Sequence, residues 1–142
     1  VEHSFATLEE KLSSEEEFLD VYSNIVSKNL PFLIAKFENN IVGFCYVQAY
    51  RNRSGYKYSL EESTYIHKDF LREGIATKLL SEVINKCKEV GYKQLIAVIT
   101  ANEDNASSKF HETMGFTKKG TLSKVGFKFG EFVDTILYQK EL

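Results

Sequence analysis

The stretch LREGIATKLLSEVINKCKEVGYKQLIAVIT, residues 71–100, decides the fold. In its middle, Ile75, Leu79, Leu80, Val83, Ile84 and Cys87 recur at helical intervals and share one face. Gly91 stands at the C′ position, where a helix closes on a left-handed residue. Behind it QLIAVIT, residues 94–100, is a near-continuous apolar run, the kind of strand buried on both faces of a sheet. The helix opens on Leu71-Arg72-Glu73-Gly74-Ile75-Ala76. A helix N-terminus leaves backbone N–H groups unpaired and carries a partial positive charge, so it attracts phosphate. Gly74 and Ala76 let a pyrophosphate approach those donors, and Arg72 can add a charged hydrogen bond. The same small residues equally suit a tight strand-to-helix turn with no ligand. Neither a G-x-G-x-x-G fingerprint nor a Gly-Lys-Ser/Thr P-loop is present.

Upstream, Ser13 and Ser14 precede Glu16 and Glu17 at capping-box spacing. Phe18, Tyr22, Ile25 and Val26 then predict a helix over 15–29, stopped by Pro31. The run FLIAKF at 32–37, the turn residues Glu38-Asn39-Asn40 and a second run over 41–50 read as a hairpin, with a third strand over 56–67. Downstream, 105–114 reads as a short helix ended by Gly115, and strands over 116–124 and 132–142 flank a Gly126/Gly130 loop. The order α-β-β-β-α-β-α-β-β predicts a mixed α/β sheet with helices on its faces.

The chain is 142 residues long, with 43% hydrophobic and 27% charged residues, so one domain over 1–142 with its own core is expected. A net charge of −2 argues against a nucleic-acid partner. No apolar run approaches the roughly 20 residues of a membrane span, and no secretory signal pattern is visible. Cys45 and Cys87 form no C-x-x-C, and His3, His67 and His111 share no ligand spacing, so no metal is expected. Both thiols read as small buried hydrophobes in a reducing cytoplasm.

The run IHKDFLREGIATKLL, residues 66–80, resembles the acetyl-CoA-binding motif of the GNAT N-acetyltransferases, Gln/Arg-x-x-Gly-x-Gly/Ala. Three further segments resemble the phosphinothricin N-acetyltransferase branch, which includes methionine sulfone and sulfoximine acetyltransferases. SLEESTYI at 59–66 is similar to T-V-E-x-S-V-Y-V, and FHETMGF at 110–116 to L-H-E-A-L-G-F. GTL at 120–122 with VGFKFGEFVD at 125–134 is similar to G-T-L-x-x-V-G-F-K-F-G-R-W-L-D. The resemblance runs from about Phe5 to Leu142. It implies a GNAT-like fold, acetyl-CoA as cofactor, and transfer of acetyl to the primary amine of a small amino-acid-like acceptor; a homodimer is expected separately, from the unpaired strand edge at 32–37.

Carried over residue by residue, the resemblance implies Glu61 as general base for the acceptor ammonium, with His111 working beside it. By strand alternation Glu61 lies on the face opposite Leu60; Glu62 reads as a surface residue. The pyrophosphate is expected on the backbone of Arg72, Glu73, Gly74, Ile75, Ala76 and Thr77, and a strand N–H near Tyr65 or Ile66 would polarise the thioester carbonyl. Asn105 and Ser107 are further cofactor candidates, although Asp104 and Asn102 compete for the family asparagine. Arg51, Arg53, Tyr56 and Lys128 are expected around the acceptor, where guanidinium groups suit a carboxylate or phosphinate.

Two positions depart from the pattern. Leu71 stands at the family's Gln/Arg, and Asp104 stands seven residues before His111 in place of Asn. The chain also begins where family members have already run through a strand and a helix, so it reads as lacking the opening βα unit, with an exposed edge at 32–37. Besides the enzyme, a non-catalytic CoA-binding module and a GNAT acting on a polyamine or a protein N-terminus stay open. Retention of Glu61 and His111 favours the enzyme, since a binder needs neither.

Overall fold

Ser14 takes extended backbone ahead of α1 (Glu15–Ser27), and its hydroxyl accepts from the Glu17 N–H at 3.2 Å, the first half of a capping box. The helix ends two residues earlier than the apolar spacing predicts. Asn29 adopts the left-handed conformation at φ 60°, its N–H reaching the Val26 carbonyl and that of Leu30 the Ile25 carbonyl. That is a Schellman closure, which the spacing of Ile25 and Val26 alone does not reveal. The structure, a computed structural model, describes residues 14–101 and 105–142. Ser13 and His3, and the candidates Asn102 and Asp104, lie outside the described residues.

The chain continues through β1 (Phe32–Phe37), β2 (Asn40–Ala49), β3 (Ser59–Ile66), α2 (Ile75–Val90), β4 (Gln94–Thr100), α3 (Ala106–Thr113), β5 (Thr117–Lys128) and β6 (Glu131–Glu141). The strands form a mixed six-stranded sheet in the order β1-β2-β3-β4-β6-β5. β1 runs antiparallel to β2, β3 parallel to β4, and β6 antiparallel to both β4 and β5. The α/β organisation is therefore as the sequence predicts. Two compact units divide the chain, the described part of Val1–Gln48 with Ser63–Glu89, and Ala49–Glu62 with Val90–Leu142.

The first unit is built on an aromatic cluster. Phe18, Ile25, Phe44, Tyr46 and Tyr65 are buried together, with Val21, Leu30, Phe32, Ile34 and Ile41 packed against them. Phe44 is fully buried and meets Phe18 edge-on at 5.2 Å and Tyr65 at 5.4 Å between ring centroids. The β1–β2 turn is two residues long, Glu38 and Asn39, both at positive φ, the geometry that matches strand twist. The predicted face of α2 is buried at Leu79, Leu80, Val83, Ile84 and Cys87. Burial pushes the Cys87 thiol up to about 11.

In the second unit, three expected boundaries move. The third strand starts at Ser59, because Ser54–Tyr56 forms a 3-10 turn with the Tyr56 N–H on the Arg53 carbonyl. β5 runs on through Gly126 to Lys128, and the loop shrinks to Phe129 and Gly130, both at positive φ. The run QLIAVIT buries one face only: Leu95, Ala97 and Ile99 are covered while Val98 is exposed.

Truncating the centre of the aromatic cluster tests the first unit. Phe44→Ala removes a fully buried ring and should cost about 3–5 kcal/mol, read as a lower urea midpoint with little change in slope.

Candidate active site

β3 alternates, and its pleat sorts the two adjacent carboxylates. Leu60 and Glu62 are buried, whereas Glu61 is half-buried on the opposite face, as the alternation predicts. Glu62 is not the surface residue expected. It is 4% exposed, and its carboxylate meets Nε2 of His111, itself 4% exposed. A buried carboxylate is rare unless paired, and the pairing explains its burial. The signal was present in the alternation, which puts Glu62 on the same face as Leu60. What local sequence does not hold is the partner, 49 residues away.

Strand register builds the floor under His111. Glu62 lies opposite Ala97 in the β3–β4 pair, and Ala97 lies opposite Tyr138 in the β4–β6 pair. Directly paired residues share a face, so Glu62, Ala97 and Tyr138 form a row with a small residue in the middle. The imidazole of His111 stands 6.3 Å from the Tyr138 ring, with Phe110 and Phe116 edge-on at 5.2 and 5.0 Å. The Tyr138 hydroxyl donates to Glu112 at 3.0 Å. Gly115 at φ 93° closes α3, and the Phe116 N–H takes the His111 carbonyl at 2.9 Å.

The second imidazole nitrogen is also engaged. Nδ1 of His111 lies 2.8 Å from the Ser107 carbonyl, which only accepts, so the proton there belongs to Nδ1. Burial works against the charged ring, but the Glu62 hydrogen bond and charge, with the Ser107 carbonyl, outweigh it and hold the His111 pKa above its usual value. The position in the last turn of α3 acts in the same direction, since a helix C-terminus favours a cation.

The opening of α2 lies in the first unit. Arg72 and Gly74 both adopt positive φ, 66° and 79°, and the Lys78 N–H bonds the Gly74 carbonyl, so Gly74 caps the helix. The N–H groups of Ile75, Ala76 and Thr77 are then first-turn donors with no acceptor four residues back. A Cβ at Gly74 would meet nothing within 4 Å, so the space beside this capping residue is open. The residues present fit a pyrophosphate. Leu71 is exposed and adds no polar contact, while Arg72 and Glu73 are exposed beside it. Tyr65 is buried and Ile66 half-buried at the end of β3. A Cβ at Gly43 would come within 3.0 Å of the Tyr65 carbonyl, so that glycine lets β2 lie close to the strand end.

The remaining candidates belong to the second unit. Arg51 donates from Nη1 to the Tyr50 carbonyl at 2.9 Å and lies 4.1 Å over the Tyr50 ring, which meets Tyr56 edge-on at 5.9 Å. Arg51 and Tyr56 therefore share one cluster through Tyr50, and Arg53 precedes the 3-10 turn beside it. Lys128 stands at the hairpin tip, 5.4 Å from the Phe129 ring. Asn105 takes left-handed backbone before α3. Ser107 has its carbonyl and its hydroxyl (3.5 Å) at His111 Nδ1. Among the described residues, no three His, Cys, Asp or Glu side chains converge as a metal site, and no helix is long and apolar enough to cross a membrane.

A sequence profile described as the acetyltransferase (GNAT) family matches residues 2–116. The chain is 35% identical to a phosphinothricin N-acetyltransferase of Alcaligenes faecalis, over 96% of this chain and 70% of that one. It is similar in structure to a GNAT superfamily phosphinothricin acetyltransferase from Sinorhizobium meliloti solved in complex with AcCoA. There the TM-score is 0.83 and the identity 34%, over 91% of this chain and 70% of that chain. A ribosomal-protein-alanine N-acetyltransferase from Brucella melitensis gives a TM-score of 0.86 at 33% identity, over 95% and 83%.

The His111 pair makes stability depend on pH with a definite sign. The folded ring binds its proton more tightly than the usual value near 6.5, so the contribution is complete below that value. It is lost as pH rises through the higher folded value. The stability advantage of wild type over His111→Gln should therefore shrink on the alkaline side, measured by urea unfolding at a series of pH values.

Proposed function

The chain belongs to the acetyltransferase (GNAT) family, and from that premise we propose that it transfers acetyl from acetyl-CoA to the primary amine of a small amino-acid-like acceptor. One observation carries the reading. The turn at 71–74 opens α2 on a left-handed glycine with no side chain and open space where its Cβ would stand, just ahead of three first-turn N–H donors, which suits a pyrophosphate. When bound, acetyl-CoA supplies an acetyl group activated as a thioester. Arg72 lends charge to the phosphate end, and Tyr65 and Ile66 offer strand backbone to the carbonyl end. Asn105 and Ser107 are further candidates for the cofactor.

Only a neutral amine attacks a thioester, so the acceptor ammonium must lose a proton. Glu61, half-buried on β3, takes it directly or through water. His111, the second catalytic candidate, works beside Glu61, its ring held by the buried Glu62. The guanidinium of Arg51, stacked on Tyr50, with Arg53, Tyr56 and Lys128, suits an acceptor bearing a carboxylate or phosphinate. The likeness to phosphinothricin acetyltransferases favours that acceptor class. The likeness to a ribosomal-protein-alanine acetyltransferase favours a second reading, a protein N-terminus as acceptor.

We read residues 1–142 as one acetyltransferase domain working in the cytoplasm as a homodimer. Two buried free thiols, Cys45 and Cys87, support a reducing compartment. Exposed Leu122, Val125, Phe127, Phe129 and Phe132 on the β5–β6 hairpin support a face covered by another chain.

The test is thiol release from acetyl-CoA with phosphinothricin, methionine sulfone, methionine sulfoximine, free amino acids, a polyamine and an alanine-starting peptide. Release with the first three supports the small-acceptor reading; release with the peptide alone replaces it. Binding of acetyl-CoA with no release on any amine would make the chain a binding module. Gly74→Glu should abolish acetyl-CoA binding by calorimetry, since it places a carboxylate against the phosphate. Glu61→Gln should lower turnover by about 10²–10⁴-fold while acetyl-CoA affinity is kept.

A further inference from the structure

We propose that Glu62 is a positioning residue for acetyl transfer, acting through His111, which it holds at Nε2 as a ring fixed at both nitrogens. The inference rests on the acetyl-transfer reading above and deepens it. Its basis is geometric. Glu62 is buried on β3, one residue from Glu61 but on the other side of the pleat, so the two carboxylates point to opposite faces of the strand. The imidazole is clamped between Glu62 at Nε2 and the Ser107 carbonyl at Nδ1, 2.8 Å away. A ring held at both nitrogens cannot rotate without breaking a charged contact in a buried setting.

The clamp also joins elements. Ser107 lies in the first turn of α3 and His111 in its last, so the Glu62 carboxylate ties the whole helix to β3 through one ring. Asn105 and Ser107, proposed to meet the cofactor, stand at the helix end controlled in this way. A purely apolar contact could hold the helix as well, and replacing buried pairs by apolar groups is often neutral for stability. What an apolar contact cannot do is keep a proton on the histidine. The upward shift of the His111 pKa agrees with that role.

The groups around the ring limit the alternatives. From β3 comes Glu62, and from β6 the Tyr138 phenol, whose proton is committed to Glu112 of α3. Lys118 of β5 pairs with Tyr138 in register and is exposed, and β4 contributes only Ala97. Phe110 and Phe116 close the sides. Lys109 also lies on α3, two residues from both Ser107 and His111, and is exposed. Glu62 is thus the carboxylate in hydrogen-bond contact with the ring.

The experiment compares wild type with Glu62→Gln, which removes the charge and keeps the shape. Two readouts are taken: the His111 titration by ring ¹⁵N NMR, and the pH profile of kcat with the best acceptor. The titration should move to lower pH, and the alkaline limb of kcat should move with it. Turnover should fall about 10–100-fold, less than removal of an acid–base group itself. Glu62→Asp, which restores the charge, should recover part of the limb.

An unmoved titration would overturn the proposal, because Glu62 would then only pack. A moved titration with an unmoved limb would overturn the role in turnover. If Glu62→Gln does not fold, wild type alone decides: a His111 that titrates at or below 6.5 overturns the proposal. Absence of thiol release with every acceptor would sink the acetyl-transfer reading instead, while the titration still reports whether Glu62 holds the ring.

Discussion

Two strands that run parallel cannot be joined by a tight turn; the chain must leave one end and return to the other. β3 and β4 are such a pair, aligned from Ser59 opposite Gln94 to Glu62 opposite Ala97. The connection between them contains α2, whose first residue, Ile75, follows a turn that only a left-handed residue completes. An open helix N-terminus therefore follows the end of β3 as a result of topology. In parallel α/β arrangements that is where anionic ligands gather. The same pairing sets Glu62 against Ala97, and a larger residue at 97 would occupy the room beside Glu62 and Tyr138. That register sets the surroundings of the buried carboxylate.

The buried pair carries an energetic tension. Taking two charges out of water costs several kcal/mol per ion before their attraction returns it, and losing one partner alone leaves an uncompensated charge worth roughly 3–5 kcal/mol. Here the cost is moderated by completing the hydrogen bonds: Glu62 on Nε2, the Ser107 carbonyl on Nδ1 and the end of α3 favouring a cation. Three independent features raise the stability of the same protonation state. A pair kept only for packing would not need such agreement.

Element order was legible because helix and strand periods differ, and α2 with β4 shows both in thirty residues. The ends were less legible because they depend on single backbone conformations. Asn29 stops α1 by turning left-handed, and Phe129 with Gly130 reverses the chain in two residues where a longer loop was expected. Neither change alters the apolar count that periodicity measures. The site divides similarly. Gly74 and the candidates near it were visible because a local motif carries them. Glu62 reads as a surface residue in the sequence because a carboxylate's usual fate is solvent, and the histidine that overrides it lies on another element.

The two neighbouring glutamates show what the pleat does to chemistry. Successive side chains in a strand point to opposite faces, so Glu61 and Glu62, identical in type, are placed in unlike surroundings. Glu62 is sealed against an imidazole. Glu61 is half-buried on the opposite face. If the strand slipped by one residue against β4, the two would exchange faces: Glu61 would be buried, and the position facing His111 would still be a glutamate. Identity of side chain therefore does not assign the roles. Register does, and the parallel pairing of β3 with β4 is what holds the register in place.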